Sequence, residues 1–209
     1  MPMAIQSAAI NISKIILTAW INSAGVVYSA LAGVYNKINM MIGIVSNSFT
    51  AAGSTMVGQN LGAKQYTRTK QGVAFGVICS CLMAEVIGVF CYLFAPQMIG
   101  FFSETQEAIN FGTEHMRTIC LFFCLLAFSH CIAGIMRGAG KATVPMFTML
   151  GCWCLFRVTY ISIAVKYINK LTTVSWAYPI TWILSGIIFL IYFLFGDWIH
   201  NFDRESQRT

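Results

Sequence analysis

The sequence predicts an all-α integral membrane protein, built as a bundle of six transmembrane helices. Three observations predict it. Of 209 residues, 57% are hydrophobic and 10% charged, and the mean hydropathy is +0.71, whereas a water-soluble domain carries about 25% charged residues. A chain so poor in charge cannot clothe a water-facing surface, so most of its outside must meet lipid. Apolar runs such as Val86 to Phe94 are continuous; a transmembrane barrel needs alternating polarity, and in lipid a helix satisfies its own backbone amides. Finally, one span takes roughly 20 apolar residues, which gives this length room for six.

The first span runs from about Pro2 to Ala24. It opens without a basic region and runs past twenty residues, unlike a signal peptide. Polar Gln6, Asn11, Ser13 and Asn22 mark it as facing a cavity or a neighbouring bundle, although intramembrane amides also serve as plain interhelical bonds. The second span, from about Ser29 to Gly58, has a small and polar continuation through Thr55 to Ala63. That continuation is expected to leave the bilayer as a helix before Gly62 ends it. The third covers about Gly72 to Phe94, with Pro96 beyond it as a stop; Gly72-x-x-x-Gly76 permits a close helix contact. The fourth covers about Glu114 to Met136. The fifth, about Val144 to Tyr167, carries Pro145 in its first turn, where proline is tolerated. The last, about Thr173 to Phe195, contains Pro179, which predicts a local distortion. Residues 1–198 thus form one six-helix domain, followed by a short tail at 199–209.

The net charge of +6 does not point to nucleic acid, because the bases are scattered through short loops and helices. Their distribution reads as topology. One side carries seven bases (Lys64, Arg68, Lys70, Arg137, Lys141, Arg204, Arg208) and the other three (Arg117, Lys166, Lys170), so the richer side is cytoplasmic. Both termini then face the cytoplasm, and the plasma membrane is the expected location. The eight cysteines, at 79, 81, 91, 120, 124, 131, 152 and 154, all fall within spans. The pairs two residues apart point to different helix sides, so they read as small apolar residues rather than metal ligands. No His-Glu-x-x-His, paired intramembrane aspartates or nucleophile elbow occurs, so an enzyme is not expected; neither is a cofactor.

Four ionisable residues lie at bilayer depth: Lys14, Lys37, Glu85 and Arg157. Each costs at least about 2.5–3.5 kcal/mol on insertion scales and needs a partner or a wet cavity. Three bases face one acid, so water or something outside the chain must complete the balance. Glu85 and Arg157 are candidates for an ion pair that ties helices together. Lys37, beside Asn36 and Asn39, either lines a cavity or snorkels to the headgroups; Lys14, nearer mid-span, favours an internal role. His130, within the fourth span, reads as a cavity or proton-responsive residue or as a packing histidine.

Two stretches carry more than composition. One is Ala51 to Ala63, ending Gly58-Gln59-Asn60-Leu61-Gly62-Ala63, with Tyr66, Arg68, Lys70 and Gly72 following. The other is Gly134-Ile135-Met136-Arg137-Gly138-Ala139-Gly140-Lys141-Ala142-Thr143-Val144-Pro145. Both resemble signatures of the multidrug and toxic compound extrusion (MATE) transporters, where the first ends the eighth helix and the second joins the tenth to the eleventh. Pro2 to Gln6 resembles the start of their seventh helix. Read physically, glycines at 138 and 140 permit backbone shapes closed to other residues. Arg137 at a helix end complements the negative pole of its dipole, whether the loop is a cap or a gate.

The resemblance implies the carboxy-terminal lobe of a two-lobed, twelve-helix antiporter that exports drugs or other amphipathic compounds by alternating access. It makes the first, second and fourth spans the cavity lining, with Gln6, Asn11, Lys14, Asn36, Lys37, Asn39 and His130 as candidates. Some members place cation-binding carboxylates in the first and fourth helices of this half. The stretches around Ile10 and Leu126 hold no Asp or Glu, as in the DNA-damage-inducible protein F-like branch, so the H+ or Na+ site is expected in the other half. The implied partners are lipid, an amino-terminal lobe or a second copy, and a small amphipathic or cationic substrate. The alternatives are a truncated or split-gene remnant without transport of its own, and one lobe of a lipid-linked sugar flippase.

Overall fold

The computed structural model describes residues 7–8, 10–13, 15–16, 18–19, 26–101, 106–167 and 172–196, with the backbone alone at 26–39, 41, 107–108, 164–167 and 172–174. Every element among these residues is helical. The described positions between 7 and 19 are helical. They are followed by α1 (Val26–Gly62), α2 (Tyr66–Leu93), α3 (Ala95–Gly100), α4 (Gln106–Cys120), α5 (Phe123–Gly138), α6 (Thr143–Met149), a π-helical segment (Leu150–Phe156), α7 (Arg157–Tyr167) and α8 (Thr172–Phe195). The tail at 199–209 lies outside the described residues.

The bundle is turned inside out relative to a soluble one. On α2 the buried positions are Thr69, Val73, Ser80, Ala84, Gly88 and Cys91, while Phe75, Ile78, Leu82, Val86, Val89 and Leu93 form an exposed stripe at helical spacing. Helix α8 repeats the pattern: Ala177, Thr181, Ser185 and Phe189 are buried, and Ile187, Leu190, Ile191 and Leu194 point outward. In water such stripes would be the core-facing side. Outside a helix that buries its serines, they are a lipid surface, with small residues turned inward so that backbones can approach. Among the described residues, three helical stretches are long and apolar enough to cross a membrane: Tyr66–Leu93, Thr143–Ile163 and Ser175–Phe195. A fourth candidate is the bent pair Ile109–Cys120 and Phe123–Gly138.

Element boundaries depart from the sequence reading in instructive ways. Helix α1 has 37 residues, about 55 Å at 1.5 Å per residue, and so outruns a hydrocarbon core of about 30 Å. Its last helical residue is Gly62, as expected, and the left-handed cap falls two residues beyond. Lys64 takes the left-handed conformation (φ 55°), Gln65 N–H donates to the Asn60 carbonyl at 2.8 Å and Lys64 N–H to that of Leu61 at 2.9 Å. These are the two bonds of a Schellman cap. Asn60 adds its side-chain amide to the Met56 carbonyl at 2.7 Å. The chain then re-enters a helix at Tyr66, six residues ahead of the predicted third span, because Arg68 and Lys70 ended the apolar run and not the helix. Pro96 lies in the first turn of α3, just past the end of α2.

The fourth span is the largest correction. Its helix begins at Gln106 rather than Glu114, and it breaks between Cys120 and Phe123 with a bend of 49°. The early turns leave no apolar run in the sequence, because α4 carries a polar face with Asn110, Thr113, Glu114 and Arg117 among its residues. The fifth span is one helix whose middle widens into the π segment. Helix α8 runs through Pro179 without a break.

Candidate functional site

Three constructions in the bundle concentrate polar groups or close backbone contacts. The first is a buried seam. The Ser13 hydroxyl donates to the Trp153 carbonyl at 3.2 Å, joining the first span to the π segment. Trp153 Nε1–H donates to Ser185 Oγ at 3.1 Å, and Ser185 passes its own proton to the Trp182 carbonyl at 3.1 Å. Ser129 stands 3.1 Å from the same oxygen. A hydroxyl has one proton to give and two lone pairs to fill, so Ser185 is saturated and Ser129 is the donor. His130, half-buried, meets the Trp153 ring edge-on with centroids 5.3 Å apart.

Arg157 extends the seam. It is 6% exposed; its Nη2 donates to Thr181 Oγ1 at 2.6 Å, and Thr181 in turn donates to the Tyr178 carbonyl. The guanidinium lies 4.6 Å from the Tyr178 ring centroid and 5.5 Å from that of Trp153, within cation–π range. The expected Glu85–Arg157 pair does not form: Glu85 instead accepts the Cys124 backbone N–H. The reason is placement, since Arg157 turns toward α8 and Glu85 toward the break between α4 and α5.

The second construction is the crossing of α1 and α5. The Thr50 hydroxyl, with one proton to give, lies 2.9 Å from the His130 carbonyl and 2.8 Å from that of Ser46 on its own helix. Above it, Gly134 and Gly138 lie so close to the α1 backbone that an added Cβ would stand 2.9 Å from the Thr50 and Ser54 Cα atoms respectively. A Cβ at Gly58 would meet the Gly138 carbonyl at 3.4 Å. The close pair of glycines four apart is therefore Gly134 and Gly138. At the pair singled out from sequence, Gly72 faces the flexible Met56 side chain and Gly76 meets nothing within 4 Å. Helix α5 ends as α1 does: Gly140 is left-handed (φ 79°), with Lys141 N–H on the Met136 carbonyl and Gly140 N–H on that of Arg137. Half-buried Arg137 occupies the last turn and Pro145 is buried in the first turn of α6.

The third comprises two open clefts at opposite ends of α2. One, of about 780 Å³, is lined by Thr55, Gln59, Asn60, Arg68 and Gln71; the other, of about 690 Å³, by Tyr92, Thr113, Glu114, Arg117 and Trp176.

Of the cavity candidates, the structure joins His130 to the seam and leaves Asn11 exposed. Gln6 and Lys14 lie outside the described residues, and Asn36, Lys37 and Asn39 are described by their α1 backbone alone. Trp153, Ser129, Thr181 and Ser185 were missed by the sequence reading. The available signal was spacing, since Thr181 with Ser185, and Trp153 with Arg157, lie four apart on otherwise apolar spans. Among the described residues no group of three or more His, Cys, Asp or Glu side chains is placed to hold a metal ion.

A lipid-facing exterior around a polar interior seam defines a multi-pass helical membrane protein. Comparison with known proteins gives the family: the MatE family model matches residues 2–163, and the chain belongs to that family of membrane transporters. It is 22% identical over 197 residues to the probable multidrug resistance protein YoeA of Bacillus subtilis, spanning 93% of this chain and 42% of that protein. It is 26% identical over 183 residues to the probable multidrug resistance protein NorM of Thermotoga maritima, spanning 84% and 39%. A MOP superfamily transporter of known structure from Pyrococcus furiosus superposes with a TM-score of 0.85 at 17% identity, over 93% of this chain and 43% of that one. The chain thus spans about two-fifths of the length of the curated relatives it matches.

Proposed function

We propose that this chain acts as one lobe of a cation-coupled antiporter that exports drugs or other amphipathic compounds by alternating access. The observation that carries the reading is the scale of the match: nearly all of this chain corresponds to 43% of a solved transporter, the share expected of one lobe in a two-lobed machine. In alternating access two bundles rock about a shared cavity, so an amino-terminal six-helix lobe or a second copy completes it. The plasma membrane is the proposed location, with both termini cytoplasmic. His130 and the α1 residues Asn36, Lys37 and Asn39 are the proposed cavity residues, with Gln6, Asn11 and Lys14 on the first span.

The test expresses the chain alone and together with an amino-terminal MATE lobe, then follows ethidium efflux from cells under imposed proton and sodium gradients. Efflux is expected only when both lobes are present. Absence of efflux from every pairing would instead favour a non-transporting remnant.

A further inference from the structure

An uninterrupted helix would pass the Cys124 N–H to the Cys120 carbonyl, four residues back. Here the helix stops at Cys120 and restarts at Phe123 with its axis turned by 49°, so that bond is severed. Both of its halves meet α2. The Cys124 N–H donates to Glu85 Oε2 at 3.3 Å. The Cys120 carbonyl packs against Gly88, where an added Cβ would stand 2.6 Å from the oxygen. Glu85 and Gly88 are three residues apart and share one face of α2. A carboxylate for the orphaned donor and a missing side chain for the displaced acceptor together form a seat for the broken helix.

Glu85 lies mid-way along a span whose other exposed face is the apolar stripe of Phe75 to Leu93. The described titratable groups facing it are the thiols of Cys81 on its own helix and of Cys120 and Cys124 opposite, none of which brings a positive charge. Among the described residues no cation stands beside it, and an ionisable residue within the membrane marks a functional position by default.

We infer that Glu85 is a proton-binding site seated on the break of the fourth span, and that its negative charge holds that span bent. On taking a proton from water the carboxylate becomes a neutral carboxyl. The Cys124 N–H···Oε2 bond then loses its charge assistance, which makes such bonds about twice as strong as neutral ones, and the bend loses its anchor. The consequence for transport, a coupling position within this half in addition to any in the other, rests on the transporter reading; the seat itself does not.

The test uses the whole chain in lipid vesicles, titrated from neutral to acidic pH. Hydrogen–deuterium exchange of the 121–126 segment, corrected for the intrinsic pH dependence of exchange, is read beside the infrared band of protonated carboxyls. Protection is expected to fall about tenfold, the factor separating a charged from a neutral hydrogen bond, in step with a band that Glu85→Gln removes. The Glu85→Gln chain, whose amide carbonyl still accepts, should show the low protection at every pH. Protection that ignores pH, or that is equal in the native and Glu85→Gln chains, would make Glu85 a plain helix cap and overturn the inference. Should the variant fail to fold, the native chain decides alone, because exchange and infrared signals with separate midpoints also overturn it. No efflux is measured, so these outcomes are independent of the fate of the transporter reading.

Discussion

At the scale of single residues, the glycines divide cleanly by what surrounds them. Gly134 and Gly138 are backbone contacts between α5 and α1, whereas Gly62 and Gly76 meet nothing within 4 Å. Gly134→Ala and Gly138→Ala are therefore expected to force the helices apart, at a cost of about 1–3 kcal/mol for overpacking. Gly76→Ala should change little. Thermal unfolding of the purified chain in detergent checks this, and equal melting temperatures for Gly76→Ala and Gly138→Ala would remove the crossing from the account. Sequence made part of this legible. Gly140 was expected at a turn and has the positive φ that favours glycine. Gly62 was expected to end α1 and is its last helical residue, but the left-handed cap position falls on Lys64 rather than on a glycine; a cap is set by bonds to carbonyls further back, which spacing alone does not reveal. Arg157 was recognised as needing a partner, but aromatic rings and a threonine supply it, and no rule of opposite charges would find them.

At the scale of elements, membrane character is written in the direction each helix faces. The exposed stripe of α2 includes Leu82, 62% exposed, while its buried face includes Ser80, 0% exposed. A charge on the stripe has nowhere to go but lipid. Leu82→Arg is expected to lower the inserted fraction, at a cost of about 2.5–3.5 kcal/mol for a mid-span arginine; a conservative Leu82→Ile change should not. Carbonate extraction of membranes reads the inserted fraction, and undiminished insertion of Leu82→Arg would contradict a lipid-facing stripe. The sixth span, and the Leu93 end of the third, were legible because hydropathy and helix end together there; at its other end the third runs on past Lys70 and Arg68 to Tyr66. The fourth was not, because its first turns are polar and its break depends on Glu85 and Gly88 of another helix. The π segment was equally hidden: Leu150 to Phe156 is as apolar as an ordinary helix, and an extra residue per turn leaves no mark in composition.

At the scale of the molecule, the family was legible because two motifs fall at matching helix ends in the right order, and each proves to build a helix end. Gly58 to Ala63 leads into one Schellman cap and Arg137 to Lys141 forms another, while Gly134 and Gly138 hold α1 against α5. Substrate was not legible, since the relatives are more than twice as long as the matched region and a transport cavity between lobes needs both walls. The account depends on one arrangement: six bilayer crossings that place the loops alternately on two sides. Reporter fusions test it directly, with alkaline phosphatase, active only outside the cytoplasm, and green fluorescent protein, fluorescent only within it, joined after Gln65, Glu104, Lys141 and Lys170. Fluorescence at Gln65 and Lys141 with phosphatase activity at Glu104 and Lys170 is the predicted result. The same reporter lighting up at Gln65 and Lys170 would contradict it.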